Sequence, residues 1–155
     1  MNAARLWRLS SRLHRRGWSR TARVIKAVIY LIDGALLEPE VELQGPVYFA
    51  HRGTGVVVHA STVIEPEVVI WQHALIAASN DKNDPGDFGV RIRSEAVIGA
   101  RSIIMCPLDR TLTIGRGARI AAGAIVTSDV PDGGVVLPAT SPVARVNPPE
   151  LWHLP

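Results

Sequence analysis

The stretch "VHASTVIEPEVVIWQHALI", residues 58–76, carries the pattern that decides the fold. An aliphatic residue recurs at every sixth position, at Val58, Ile64, Ile70 and Ile76. An α-helix gives a period of about 3.6 and a plain strand a period of about 2, so neither explains this spacing. Repeats of six are typical of a parallel β-helix, in which each repeat forms one short strand and one turn.

The same spacing extends in both directions from this stretch. Three repeats make one triangular coil, and stacked coils bury a continuous aliphatic column. We therefore predict an all-β fold, a parallel β-helix, preceded by a short helical segment. The thirteen apolar residues in this phase, here called anchors, are Leu37, Leu43, Phe49, Val58, Ile64, Ile70, Ile76, Ile92, Ile98, Ile104, Ile114, Ile120 and Val126.

The phase of the anchors assigns them to three faces. Face A holds Phe49, Ile70, Ile98 and Ile120, face B holds Val58, Ile76, Ile104 and Val126, and face C holds Ile64, Ile92 and Ile114. Nine residues instead of six separate the first anchors of faces A and B, so the chain makes an excursion at the A-to-B corner. His51 lies in that excursion, and the same corner carries Gln72 and His73 one coil later. We expect the two histidines to lie near each other.

Two further breaks fall at the B-to-C corner. The first spans residues 77–91 and is polar, acidic and rich in turn-forming residues, which predicts a protruding loop. The second is the insertion at 107–110 on the next coil. Insertions gathered on one edge of a solenoid often build a binding surface, so we expect the 77–91 loop to hold an acceptor substrate. The alternative is that both are tolerated surface insertions.

Composition limits the fold and the compartment. The 155 residues suit one domain, and 47% hydrophobic residues with only 5% aromatics predict an aliphatic core. Cys106 is the only cysteine, which excludes an intrachain disulfide and favours a reducing, cytoplasmic location. Because it lies in the apolar run "IIMCPL", it is predicted to be a buried structural residue and not a nucleophile.

The basic charge is concentrated at the start of the chain. Residues 1–26 contain eight Lys or Arg and no acid, whereas the rest has a net charge of −5, so the core gives no argument for nucleic-acid binding. Residues 1–35 are predicted to form one or two basic amphipathic helices. These helices either cap the end of the β-helix or lie on an anionic membrane surface with the help of Trp7 and Trp18. No stretch is apolar enough to span a membrane.

Two segments resemble a known family. "HRGTGVVVHASTVIEPEVVIWQ" (51–72) and "TIGRGARIAAGAIVTSDVPDGGVV" (113–136) resemble the hexapeptide-repeat acyltransferases, and within them the serine acetyltransferases and related exopolysaccharide acetyltransferases. The resemblance implies a left-handed β-helix over residues 36–146, followed by a tail at 147–155. It also implies acetyl-CoA as the donor substrate and a homotrimer with active sites between subunits.

The resemblance assigns roles to individual residues. His51 matches the loop histidine that acts as general base, and imidazole is suited to take the proton of a hydroxyl as it attacks a thioester. His73 is a candidate for a second polar group at the site. Small residues at coil corners, which let the pantetheine arm of acetyl-CoA approach the backbone, and two arginines for its phosphates complete the predicted site: Ala100, Ala122, Gly123, Arg119 and Arg145.

Departures from the serine acetyltransferase pattern point to a different acceptor. The positions that hold the partner carboxylate and the serine-binding residues fall on Leu36, Ala50, Phe88 and Gly89. These identities predict that serine is not the acceptor, and that the enzyme acetylates the hydroxyl of a sugar, glycan or other small polar compound, as in polysaccharide biosynthesis. Glu38 or Glu40 could orient the base.

Two alternatives to this enzyme remain open at the level of sequence. One is a non-catalytic or CoA-binding β-helix scaffold, because the carboxylate partner of the loop histidine is lost. The other is a zinc site built from His51, His59 and His73, although the phases of these residues differ and no metal is expected.

Overall fold

The computed structural model describes residues 3–78, 89–107 and 110–139. Helix α1 spans Ala3–Arg15 and helix α2 spans Ser19–Asp33. Fourteen short strands follow within the described residues, and they form three parallel sheets. The strands on face A are β3 Val47–Phe49, β6 Val68–Ile70, β9 Val97–Ile98, β12 Arg119–Ile120 and β14 Val135–Val136. Those on face B are β1 Leu36–Leu37, β4 Val57–Val58, β7 Leu75–Ala78, β10 Ile103–Cys106 and β13 Ile125–Val126, and those on face C are β2 Glu42–Leu43, β5 Thr62–Ile64, β8 Val90–Ile92 and β11 Leu112–Ile114.

The strand order confirms the three-faced parallel coil. In each sheet most strands pair with the strand three positions later in the chain, for example β4 with β7 and β7 with β10. The anchors lie directly above one another, as shown by the pairing of Ile64 with Ile92 and of Ile92 with Ile114. All three faces contain the anchors assigned to them from the phase of the repeat. The left-handed sense of the coil stays a prediction.

The anchors form the core of the coil. Twelve of the thirteen are at most 7% exposed, and only Phe49 is half-buried. Burial of each such aliphatic side chain contributes about 1.5–3 kcal/mol, so the repeat of six provides a large part of the driving force for the coil. Cys106 is also fully buried, as predicted, and its Sγ donates to the carbonyl of Arg110 at 2.9 Å. Burial raises the pKa of the Cys106 thiol.

The N-terminal helices close the first coil. Trp7 is fully buried, stacks on Phe49 at a centroid distance of 5.8 Å, and donates its Nε1–H to the carbonyl of Glu38. Helix α2 ends where Gly34 adopts a left-handed conformation (φ 64°) and donates its N–H to Tyr30. The inner side of the helices thus packs on the first coil, in the arrangement that the cap interpretation expects. The domain boundaries at 35 and 146 stay predictions, since residues 140–155 lie outside the described part of the chain.

Both predicted insertions fall between face B and face C. The first lies between β7 and β8 and the second between β10 and β11. The two breaks are neighbours, because β7 pairs with β10 and β8 pairs with β11. Residues 79–88 and 108–109 lie outside the described residues, so the proposed acceptor-holding role of the 77–91 loop stays a prediction.

Candidate active site

The His51 excursion is a run of left-handed backbone conformations. After Phe49 the chain forms a 3-10 turn, Ala50–Gly53, in which His51 has φ 48° and Arg52 has φ 64°. Gly53 (φ 78°) and Gly55 (φ 65°) continue the turn. A non-glycine residue in this region costs about 1–2 kcal/mol, so the surroundings must hold both side-chain-bearing residues in place. His51 itself is exposed to solvent.

The end of helix α2 supplies that restraint. Asp33 is only 7% exposed, and its Oδ1 accepts from Arg52 Nε at 3.1 Å and lies 3.0 Å from Arg52 Nη2. The carbonyl of Asp33 accepts the N–H of Gly55 at 3.1 Å. We call this set of contacts the Asp33 clamp. The sequence analysis assigned no role to Asp33, although an acid at the end of an amphipathic helix, followed by Gly34, was the available signal.

His73 lies one coil further along the same corner, as predicted. The main-chain N–H of His73 donates to the carbonyl of Thr54 at 2.8 Å. The imidazole ring of His73 covers Gly55 so closely that a Cβ on this glycine would collide with Nδ1. The ring of Trp71 lies 5.7 Å from the ring of His51, measured between centroids. Trp71 was not among the predicted site residues. The two histidines therefore occupy one corner of the coil, on successive turns.

The predicted donor-side residues continue this corner. The main-chain N–H of Arg101 donates to the carbonyl of Gln72 at 3.1 Å, and the main-chain N–H of Gly123 donates to the carbonyl of Ala100 at 2.9 Å. Ala122 and Gly123 are exposed and Ala100 is half-buried. We call the line formed by His51, His73, Ala100, Ala122 and Gly123 the corner ridge. Because one hydrogen-bonded ladder connects these turns, the fold brings the proposed base and the proposed donor contacts onto one edge.

The arginines have different positions relative to the corner ridge. Arg119 lies on β12 with its side chain exposed on face A, three residues before Ala122. Arg101 is exposed on the corner itself, with φ 56°, and was missed by sequence reasoning. Arg145 lies outside the described residues, so its predicted phosphate contact stays a prediction.

Neither of the glutamates that could orient His51 is bonded to it. Both carboxylate oxygens of Glu38 lie 2.6 Å from Lys26 Nζ, and Glu40 lies 4.0 Å from His14 Nδ1. The orienting role proposed for them is therefore wrong, because the packing of α2 on the first coil engages Glu38. In residues 3–78, 89–107 and 110–139, no carboxylate forms an ion pair with His51.

His59 is separated from the other two histidines by the shape of the coil. It lies at the B-to-C corner, where its Nδ1 is 2.9 Å from Ser61 Oγ. No group of three or more His, Cys, Asp or Glu side chains in the described residues is arranged to hold a metal ion.

Comparisons with known proteins address the fold and the family. No protein-family model matches the chain. A serine acetyltransferase of Bacillus pumilus is 28% identical over 116 residues, which cover 75% of this chain and 50% of the relative. The structure of a serine acetyltransferase from Neisseria gonorrhoeae superposes with a TM-score of 0.78 at 26% identity, over 96% of this chain and 56% of the other. That of a Brucella abortus serine acetyltransferase in complex with coenzyme A gives a TM-score of 0.74 at 23% identity, over 88% of this chain and 55% of the other.

The resemblance to the hexapeptide-repeat acyltransferases is confirmed. The chain spans about half the length of the three serine acetyltransferases. It contains the coil that the hexapeptide-repeat fold predicts, with two helices in front of it.

The prediction that serine is not the acceptor is contradicted by these comparisons, because the relative and both structural neighbours are serine acetyltransferases. The prediction relied on an ungapped match of positions such as Leu36 and Ala50. The glycan acceptor and the assignment to polysaccharide biosynthesis lose their basis with this correction.

Proposed function

We propose that this chain carries an acetyltransferase site that moves an acetyl group from acetyl-CoA to the hydroxyl of serine. The observation that carries the proposal is the corner ridge, which collects a loop histidine, a second histidine and small exposed residues on one edge of the coil. The names of the serine acetyltransferase relatives support the acceptor. The proposal keeps the left-handed coil and the cytoplasmic location predicted from the sequence.

His51 is the general base in this proposal. Its imidazole takes the proton of the serine hydroxyl while the oxygen attacks the thioester carbonyl, and the thiolate of CoA leaves and is protonated. General-base assistance of this kind contributes about 10²–10⁴-fold in rate. The Asp33 clamp and the contact with Trp71 hold the His51 loop, so the positioning that a carboxylate partner would supply comes from the backbone turn.

Acetyl-CoA is proposed to lie along the corner ridge. Ala100, Ala122 and Gly123 present short side chains there, so an extended pantetheine arm can approach the main chain. Arg119 and Arg145 are the proposed phosphate contacts, and Arg101 adds a cation on the same corner. The coenzyme A complex of a neighbour with the same fold supports a CoA site on this coil.

The outward side of face B supports assembly into a homotrimer. Its outward-pointing residues stack as one aliphatic column, Leu36, Val57, Leu75, Ile103 and Ile125. The corresponding column on face C is mixed, since it contains Glu42, Val63, Arg91 and Thr113. Ile125 in this column is exposed and the other four residues are half-buried, and a partly exposed aliphatic column beside the corner ridge suits a subunit interface. A trimer packed through face B places the ridge between subunits.

The test uses two histidines from one chain. Acetyl-CoA binding is measured by calorimetry, and formation of O-acetylserine by mass spectrometry, on the wild type, His51→Ala and His59→Ala. His59 is the matched control because its ring contacts Ser61 at a different corner. We expect all three proteins to bind acetyl-CoA, and only His51→Ala to lose transfer, by about 10²–10⁴-fold.

Each other outcome has a definite meaning. Binding without acetylation of serine by the wild type would refute the transfer reaction and identify the coil as a CoA-binding scaffold. Equal loss of transfer in His51→Ala and His59→Ala would refute His51 as the base. No binding at saturating acetyl-CoA would remove the donor from the proposal.

A further inference from the structure

Helix α2 is apolar on two opposite sides. Ala22 and Ile29 are fully buried against the rest of the protein. On the opposite side Val24 is 62% exposed and Leu31 is 81% exposed, and they lie seven residues apart on one helical face. An apolar stripe on a helix normally packs against a partner. Among the described residues nothing covers Val24 and Leu31, so the outer face of α2 is free for an occupant.

The surroundings of this face are strongly basic. Seven arginines lie in α1, in α2 and in the turn between them, and none has an acidic partner among the described residues: Arg5, Arg8, Arg12, Arg15, Arg16, Arg20 and Arg23. Lys26 is the one Lys or Arg of residues 3–26 that pairs with a carboxylate, that of Glu38. Arg20 and Arg23 flank the apolar face directly. A partner that covers the outer face of α2 must therefore accept apolar side chains and carry negative charge.

Trp18 adds a third feature at the turn between the helices. Trp18 is 64% exposed, and it lies at the start of α2, between Arg16 and Arg20 in the chain. An exposed tryptophan beside basic residues is typical of helices that lie in the interface of a membrane, because its ring is partly apolar and its N–H remains hydrated. Neither helix within residues 3–33 is long and apolar enough to cross a membrane.

A second copy of this chain fits the face poorly. The only acid in residues 3–33 is Asp33, which is buried and paired with Arg52, so a second copy packed through these helices would bring positive charge against positive charge. An anionic bilayer meets both requirements at once. We propose that the outer face of α2, together with Trp18 and the flanking arginines, docks on the surface of an anionic lipid bilayer while the inner face keeps Trp7 in the cap of the coil.

The test is co-sedimentation of the full chain with phosphatidylcholine vesicles, with and without phosphatidylglycerol. We expect binding only to the anionic vesicles and weakening at high salt. Leu31→Asp is expected to reduce the binding severely, since it places a carboxylate on the apolar face. Arg20→Ala and Arg23→Ala are each expected to weaken it about fivefold, the contribution of one basic residue near such a surface.

Two exposed positions elsewhere provide matched controls. Leu137 is 72% exposed, so Leu137→Asp makes the same chemical change as Leu31→Asp away from the helices. Arg116 is exposed on the coil, so Arg116→Ala matches the arginine variants. Both controls should bind anionic vesicles like the wild type, and circular dichroism checks that all variants fold.

Three results would overturn the proposal. The first is no binding of the wild type to anionic vesicles, and the second is equal weakening by Leu31→Asp and Leu137→Asp. The third is a lower oligomer mass of Leu31→Asp in lipid-free sedimentation, which would show that another copy covers the face. The readout needs neither acetyl-CoA nor serine, so it is independent of the proposed enzyme activity.

Discussion

At the C-to-A corner the chain turns within a regular repeat of six, whereas at the A-to-B corner it makes the His51 excursion. The backbone is otherwise alike. The third residue after the anchor has a positive φ at both corners, as in Glu67 (65°) and Glu95 (64°) on one, and His73 (58°) and Arg101 (56°) on the other.

The side chains at the two corners differ in what they bond. At the C-to-A corner Glu65 Oε2 accepts the N–H of Ser94 at 3.0 Å, and Arg93 lies 3.2 Å from Asp132. At the A-to-B corner Gln72 Oε1 is buried without a hydrogen-bond partner among the described residues. A buried polar atom without a partner in the protein can pair with a ligand or a water molecule. The unpaired Gln72 Oε1 therefore distinguishes this part of the A-to-B corner from the C-to-A corner.

The largest expected effect concerns the Asp33 clamp. Arg52→Ala leaves the buried carboxylate of Asp33 without its partner, so we expect the free energy of unfolding to fall by about 1–3 kcal/mol. Arg93→Ala at the C-to-A corner breaks a pair whose side chains are 45% and 58% exposed, and should cost about 1 kcal/mol or less. Urea denaturation of both variants measures the contrast. Equal losses would mean that the clamp is no more than a surface ion pair.

A second contrast uses two glycines with similar dihedral angles. Gly55 (φ 65°) faces the ring of His73, whereas a Cβ on Gly117 (φ 62°) would meet nothing within 4 Å. Alanine at either position should cost about 1–2 kcal/mol for the left-handed conformation. Only Gly55→Ala should also displace His73 and lower serine acetylation. If Gly117→Ala lowers acetylation as much, the position of His73 is not what the reaction depends on.

The smallest expected effect is a gain in stability. Glycine adopts a positive φ without strain, so Glu95→Gly and His73→Gly should each stabilise the fold by up to about 1 kcal/mol. The two variants should differ in activity, because His73 lies on the corner ridge and Glu95 does not. Thermal unfolding and acetylation of serine are the measurements. Unchanged activity in His73→Gly would remove this histidine from the proposed site.

The fold was largely predictable from the sequence because the repeat of six encodes both the strand length and the stacking. Once Ile64 and Ile92 are one coil apart, their register is determined, and the three faces follow. The contacts of Trp7 and Asp33 were not predictable in this way. They depend on how two helices dock on the first coil, and no periodicity in the sequence records that docking.

The candidate site was predictable only as far as the coil geometry determines it. His51 and His73 share a corner because both follow face A anchors, and this needs only residue counting. Trp71 and Arg101 occupy the same corner and were missed, since an aromatic residue or a cation after an anchor is equally suited to a solvent-exposed turn. The acceptor was predicted from residue identities at aligned positions such as Leu36 and Ala50, and the similarity to serine acetyltransferases contradicts that prediction.

The docking of Trp7 on the first coil also has a consequence for solubility. A stack of parallel strands ends in a strand with unpaired main-chain groups, and such an edge can recruit another chain and grow into a fibre. Trp7 donates a hydrogen bond to the carbonyl of Glu38, and helix α1 covers the open end of the first coil. The two helices therefore protect against filament growth at this end, and a truncated chain that begins at residue 34 would expose an adhesive edge.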